Sequence, residues 1–477
     1  MKFKRSCALL GFIGVLSACG GGGGSSSPPI GSTPTPTPPP TAGACSLGER
    51  QSWAAAELRE WYLFPETLPA TNPVGAANLS DFVDAMTATA RAQRRDRFFT
   101  YVTSITEENA FFQQGASAGF GIRLSTDTAQ RRLFIAEAFE GAPALAAGID
   151  RGTEIIAIGT SAATLRTVDS IIATEGAAGI TNALGPSTAG TTRVLRITDA
   201  AGTRDVTVAK ADFSLTPVSS RYGARIIDDN GRRVGYVNLR TFIDTADPAL
   251  RNAFSQFRAQ GITEVIVDLR YNGGGLVSIG ELLGDLLGGN RVGQVFSRTV
   301  FRPEKAANNS TDLFGSQPQS ISSMKIAFIG TGGTASASEL VINSFLPYLG
   351  ANVALVGTNT YGKPVGQIAR DRSQCDDRLR VIAFATQNST GQGAYFDGLA
   401  PFMQSTCRAG DDLTRQLGDP QEASIRASLD FLAGRGCTAI AAVPAAGKAQ
   451  AGQAEAEREL LVPQRPSPAQ HEVPGFF

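Results

Sequence analysis

Residues 325–367 constrain the fold more tightly than any other stretch of the chain: KIAFIGTGGTASASELVINSFLPYLGANVALVGTNTYGKPVGQ. Lys325–Gly330 is an apolar run of buried-strand length. Gly332 and Gly333 punctuate it. From Ala335 to about Leu349 the spacing predicts a helix, with Leu340, Val341, Phe345 and Leu346 on one face. Residues 352–357 read as the next strand, followed by a loop carrying Lys363. The same alternation continues outside this unit. Residues 234–242 read as a strand, 248–260 as a helix, 264–270 (EVIVDLR) as a strand, 279–287 as a helix and 380–386 as a strand. This order predicts a βα core around a largely parallel sheet. Residues 292–319 are polar and irregular, and read as a surface excursion.

Ser336 has two readings. Ser336-Ala337-Ser338-Glu339 fits a capping box, in which Ser336 or Thr334 caps the helix. Alternatively, Ser336 is a nucleophile on a strand-to-helix turn, where free amides at the helix start stabilise an oxyanion. A serine hydroxyl then needs a base. The chain has one histidine, His471, in a polar proline-containing tail, so a Ser-His-Asp triad would require that tail to fold into the core. Seven lysines stand against 36 arginines. Arginine stays charged, whereas lysine loses its proton on burial. Lys363 lies among Thr360, Tyr361, Gly362 and Pro364, with no acid beside it in sequence; it is either an exposed loop lysine or the base. The EVIVDLR strand runs into Tyr271-Asn272-Gly273-Gly274-Gly275-Leu276, and its three glycines let the backbone approach a ligand with amides pointing into a site.

Taken together, these segments resemble the carboxyl-terminal processing proteases, serine endopeptidases with a Ser–Lys dyad and a PDZ domain. The resemblance rests on three stretches. They are Thr334-Ala335-Ser336-Ala337-Ser338-Glu339, Gly362-Lys363-Pro364-Val365-Gly366-Gln367 and the Asp268-Leu269-Arg270 strand end with its glycines. It implies Ser336 as nucleophile, Lys363 as general base and Gln367 as the residue orienting the lysine amine. It also implies an oxyanion site from the amides of Ala337 and of Gly274 or Gly275. Ser338 is the fallback nucleophile. Pro364 stands where the family has glycine; it removes one amide donor and holds Lys363 extended. The implied fold is a multidomain α/β protein with a crotonase-like core of the kind seen in the Clp peptidase, at 216–440. A PDZ-like β domain is inserted at 113–215, and a helical region precedes it at 45–112.

Within 113–215, Gly119-Phe120-Gly121-Ile122 resembles a PDZ carboxylate-binding loop, and Gly152-Thr153-Glu154-Ile155-Ile156-Ala157-Ile158 resembles a second PDZ stretch. Such a groove takes a peptide by β-augmentation and holds its carboxylate on backbone amides. The implied partners are protein or peptide substrates with free apolar C-termini. Asp96–Val102 resembles the segment leading into the PDZ domain, and its aromatics read as core. The nearby Arg91, Arg94, Arg95 and Arg97 read as a solvated helix end.

The first 44 residues are an address and a tether. Lys2, Lys4 and Arg5 precede an apolar core at 8–16, as in a secretory signal. Leu16-Ser17-Ala18-Cys19 resembles a bacterial lipobox, which implies cleavage after residue 18 and lipidation of Cys19. Residues 19–44, rich in Gly, Ser, Pro and Thr, read as a spacer. The implied location is the bacterial cell envelope, lipid-anchored to a membrane on the periplasmic face, with the outer membrane favoured. Cys45, Cys375, Cys407 and Cys437 make an even set in an exported chain and predict two disulfides of open connectivity. Cys375–Cys407 and Cys45–Cys437 are the favoured pairs. No Cys-x-x-Cys or histidine cluster points to a metal, and no cofactor is expected. A formal net charge of zero gives no basic patch for nucleic acid. Ala, Gly, Pro and Gln dominate 441–477, which predicts a tail without fixed order. Its last residues, Val473-Pro474-Gly475-Phe476-Phe477, resemble a PDZ ligand, able to enter the chain's own groove or to be trimmed by it.

Overall fold

Five parallel strands run side by side in the order Arg232–Asn238, Glu264–Asp268, Lys325–Gly330, Val353–Gly357 and Ser405–Arg408, with Ala224–Asp229 antiparallel at one edge. Both faces of this sheet are covered, so its strands are apolar at odd and even positions alike. Val265, Val267, Ile326 and Phe328 pack with the helices Ala246–Ala259, Val277–Leu287 and Ala337–Leu349. Ile266, Ala327, Ile329 and Val356 pack with the helix Ala423–Leu432. The computed structural model describes residues 45–441 and 458–477. The secretory signal, Cys19 and the spacer expected at 19–44 lie outside the described residues, as does part of the 441–477 tail. Among the described residues no helix is long and apolar enough to cross a membrane.

The 380–386 strand is not part of the parallel sheet. It belongs to Asp377–Gln387 in a second sheet that also contains Tyr101–Ser104, Val295–Phe301, Ser310–Leu313 and Val365–Arg372, all paired antiparallel. The supposed excursion at 292–319 therefore supplies two strands of this sheet. The N-terminal helices Leu47–Trp61 and Leu79–Met86 pack on it, with Leu58, Phe82 and Val83 against Leu379, Val381 and Ile382.

The disulfides correct the favoured pairing. They join Cys45 to Cys375 and Cys407 to Cys437. Helix Leu47–Trp61 lies on the second sheet, where Arg50 pairs with Asp377 at 2.5 Å, and this brings Cys45 to the turn Ser373–Cys375. Cys407 sits on the last parallel strand, beside the segment that leaves helix Ala423–Leu432, and Arg408 N donates there to the Thr438 carbonyl at 2.6 Å.

Residues 113–215 form a separate β-rich layer. Ile122–Asp127, Arg132–Ala138, Glu154–Gly159, Thr192–Asp199 and Gly202–Ala209 pair antiparallel, with the helix Val168–Leu184 against them. Two buried charge clusters bind this layer to the parallel core. Arg151 reaches Asp411 at 2.6 Å and the Tyr271 hydroxyl at 3.0 Å, and Arg240 pairs with Glu137 at 2.7 Å. The tail expected to lack order contradicts that expectation over 458–477. It forms the short strand Glu459–Leu460, paired to Ile122–Asp127, and the helix Pro468–Glu472.

Candidate active site

Three loops leave the carboxyl ends of three adjacent parallel strands, the place where sheets of this kind bind ligands. The loop after Glu264–Asp268 carries the glycines. The turn after Lys325–Gly330 carries Ser336. The loop after Val353–Gly357 carries Lys363.

Ser336 lies directly before the helix Ala337–Leu349 with φ +57° and ψ −116°. A non-glycine residue at positive φ stores strain, and such strain clusters at functional sites. Ala337 N is the first of the amides that a helix start leaves without an intrahelical acceptor. Gly274 packs against this turn so closely that a Cβ would sit 2.7 Å from Ser336 Cβ, and its φ is +121°; only glycine fits. Asn272 fastens the two loops together. Its carbonyl accepts from Ala335 N at 3.0 Å and from Ser338 Oγ at 3.1 Å. Ser338 is thus fully buried and engaged, whereas Ser336 is half-buried.

Glu339 joins the serine turn to the lysine loop. Its carboxylate accepts from Ser336 N at 3.1 Å, Gly362 N at 2.7 Å and Lys363 N at 2.7 Å. One buried side chain thereby holds the backbones of both residues within reach of a single oxygen. Burial pushes the Glu339 carboxyl up, opposed by hydrogen bonds from Thr360 and from the amides of Lys363, Gly362 and Ser336. The capping box was legible in the sequence, but the two further amides were not, because they come from 23 and 24 residues downstream.

Lys363 Nζ donates to Gln367 Oε1 at 3.3 Å and lies 5.4 Å from the centre of the Phe99 ring. Gln367 Nε2 donates in turn to the Phe99 carbonyl. Asp96 fixes that stretch by accepting from Phe99 N at 2.7 Å and Thr100 N at 3.1 Å. Burial lowers the Lys363 amine below the ordinary lysine range; Glu472 and Asp96 act in the opposite direction. Arg97 is not a solvated helix-end residue. Its guanidinium donates to the carbonyls of Tyr361, Gly362 and Phe396 at 2.5–3.1 Å and so anchors the lysine loop. Sequence reasoning read Glu339 only as the partner of Ser336 in a capping box, and missed Asp96 and Arg97 in these roles, the Asp96–Val102 resemblance aside.

The expected oxyanion donors differ in their surroundings. Gly274 N donates to Asn272 Oδ1 at 2.9 Å, and Gly275 bridges to Phe242. The amide that meets another segment across the cleft is Gly273 N, which donates to the Glu472 carbonyl at 3.0 Å. A cavity of about 1420 Å³ opens beside these loops, lined among others by Arg97, Tyr101, Tyr271, Gly273, Lys363 and His471. The tail has therefore brought His471 to the site. Its ring stacks on Tyr101 at 3.7 Å, and burial together with the nearby Lys363 charge lowers its pKa to about 3. Gly119, Phe120, Gly121 and Ile122 lie apart from the serine, on the edge of the 113–215 layer, where Gly121 N and Ile122 N donate to the Phe477 oxygen. Among the described residues no cluster of His, Cys, Asp and Glu could hold a metal ion.

Residues 233–401, the stretch that carries all three loops, match the model of peptidase family S41. This stretch, about a third of the chain, is what is similar to the family. It is 27% identical over 321 residues to carboxyl-terminal-processing peptidase 3, chloroplastic, of Arabidopsis thaliana, a match covering 65% of this chain and 58% of that protein. It is 24% identical over 315 residues to the carboxy-terminal processing protease CtpA of Bacillus subtilis, covering 65% of this chain and 61% of that one. The chain thus spans less than two thirds of the length of either relative. A Bacteroides fragilis crystal structure assigned to the S41 proteases shares the fold, with a TM-score of 0.62 and 22% identity over 80% of this chain and 97% of that one. The S41 stretch ends before Ser405–Arg408 and Ala423–Leu432, which complete the parallel sheet and its second face.

Proposed function

We propose that this chain is a serine endopeptidase in which Ser336 attacks the scissile carbonyl and Lys363 is the general base. The observation that carries this reading is the shared Glu339 carboxylate, which couples the Ser336 and Lys363 backbones at a strained turn. Neutral Lys363 takes the serine proton as the new C–O bond forms. Ala337 N and an amide of the glycine loop receive the oxyanion. The ammonium then gives its proton to the leaving amine, and water clears the acyl-enzyme. Gln367 aims the lysine, and Phe99 and Asp96 aim Gln367.

The 113–215 layer is the proposed PDZ domain, with the edge strand Ile122–Asp127 and the amides at Gly121 and Ile122 as the groove for substrate C-termini. The amino-terminal sequence supports export to the bacterial envelope and a lipid anchor at Cys19. A peptide-binding scaffold without catalysis is the rival reading.

The test is the hydrolysis of an unfolded protein by the purified chain as pH is varied. A lysine base is active only when neutral, so kcat/KM rises with pH. The burial of Lys363 places the inflection below the unperturbed lysine value of about 10.4. The same shift makes the unfolded chain bind more protons between the two values, so stability also rises with pH across that window. Absence of hydrolysis at every pH, in the intact chain and equally with Phe476→Asp and Phe477→Asp together, would leave the scaffold reading.

A further inference from the structure

Residues 458–477 touch the strand Ile122–Asp127 twice. Glu459 and Leu460 pair with Thr126 and Ser125, and Leu461 N donates to the Leu124 carbonyl at 3.0 Å. The chain then leaves the strand, turns over the cleft, and returns. Leu124 N donates to the Gly475 carbonyl at 2.7 Å, and Phe477 N donates to the Ile122 carbonyl at 2.8 Å. The Phe477 oxygen accepts from Gly121 N at 2.9 Å and Ile122 N at 3.1 Å. Two aromatic side chains fill two separate pockets. Phe477 is 2% exposed and belongs to the core that contains Phe120, Ile180 and Leu184. Phe476 lies 5.5 Å from Phe139 and 5.8 Å from Phe213, ring to ring.

The part between these contacts lies along the cleft and lines its cavity. Arg465 holds its outer side through Asp81 and Asp84, at 2.5 Å each. The helix Pro468–Glu472 then lays His471 on Tyr101 and delivers the Glu472 carbonyl to Gly273 N. At Gly273 a Cβ would lie 2.6 Å from the His471 carbonyl, so the segment follows the glycine loop in direct backbone contact. Glu472 buries its carboxyl in the same pocket as Lys363; burial pushes that carboxyl up and the lysine down, and the attraction between the two opposes both shifts.

We propose that residues 458–477 are a resident ligand of the chain's own groove, holding the cleft shut until a peptide ending in a like aromatic pair displaces them. The inference rests on the groove assigned under the proposed function, and it names the class of peptide that groove takes. A tethered occupant competes at high effective concentration. The apparent affinity for an added peptide therefore falls by the fraction of molecules whose groove is open.

Binding separates this inference from the peptidase reading, because it is read without turnover. In the full chain carrying Ser336→Ala, a fluorescein-labelled peptide of sequence Glu-Val-Pro-Gly-Phe-Phe is titrated with the tail intact and with Phe476→Asp and Phe477→Asp together. The expected result is binding at least about tenfold tighter to the chain with the substituted tail. Equal affinity, or binding to neither chain, overturns the proposal. A second measurement uses the tail-intact chain alone, so it does not depend on how the substituted tail folds. Amide exchange at 459–461 and 475–477 is slow without peptide and becomes fast at saturating peptide. Protection that peptide does not change overturns the proposal as well.

Discussion

Ser336→Ala lowers hydrolysis of an unfolded protein by roughly 10⁴-fold or more, the size of effect seen when a serine nucleophile is removed. The unfolding midpoint stays where it was. Alanine keeps the Cβ that Gly274 packs against, and it carries the same penalty at φ +57° as serine does. The control is Ser338→Ala, two residues along the same turn. Ser338 Oγ donates to the Asn272 carbonyl at 3.1 Å and is fully buried. Its loss costs about 1 kcal/mol of stability and leaves turnover within about tenfold, because a shift of the turn costs geometry and not the nucleophile. Rates measured on both variants with one substrate separate the two serines. Near-equal losses would move the nucleophile or remove the site.

Glu339→Ala has the second largest effect, and it falls on stability as well as rate. Three amides lose their common acceptor. A buried donor left unpaired costs about 1–3 kcal/mol, so the expected destabilisation is about 3–5 kcal/mol, a large part of a domain's ordinary stability. The serine turn and the lysine loop also lose the link that holds them in register, and turnover falls by roughly 10²-fold. Glu339→Gln keeps one acceptor oxygen but turns an amide donor toward the remaining N–H groups, so it recovers only part of the loss. Urea unfolding and kcat for the two variants check this ordering. Wild-type turnover in Glu339→Ala would show that the carboxylate serves the fold alone.

The parallel sheet was legible because each strand is apolar on both faces and each helix shows one apolar side: Val265 and Ile266, or Ile326 and Ala327, read the same way in sequence and in space. The second sheet was not legible. Its strands are half-exposed and find partners far away in sequence, as Tyr101 does with Arg380. Disulfide pairing failed for the same reason, since only the packing of helix Leu47–Trp61 on that sheet selects Cys375 for Cys45. At the site, the strand-turn-helix pattern set Ser336 just before a helix, where the structure has it, and the scarcity of lysine pointed to Lys363 as the base now proposed. Arg97, and Glu339 through Gly362 N and Lys363 N, act on backbone groups distant in sequence, which no local pattern encodes. Asp96 instead accepts from Phe99 N and Thr100 N close by, and its part at the site comes only through Gln367. The tail misled because composition speaks for its average, while its order comes from a few anchors: Phe476, Phe477, and the Ser467–Gln470 capping box.

That docking also changes the argument for the base. Histidine was set aside because its tail would have to fold onto the core, and it does. What now separates the candidates is chemistry. Lys363 Nζ is held by Gln367 in a site that favours its neutral form, whereas the His471 ring lies flat on Tyr101. The decisive measurement is kcat/KM for Lys363→Ala and His471→Ala, side by side on the same unfolded substrate. The dyad predicts a loss of at least about 10³-fold for Lys363→Ala and activity equal to or above wild type for His471→Ala, whose ring belongs to the segment covering the cleft. Full activity in Lys363→Ala, or its collapse in His471→Ala, would contradict the assignment of lysine as the base.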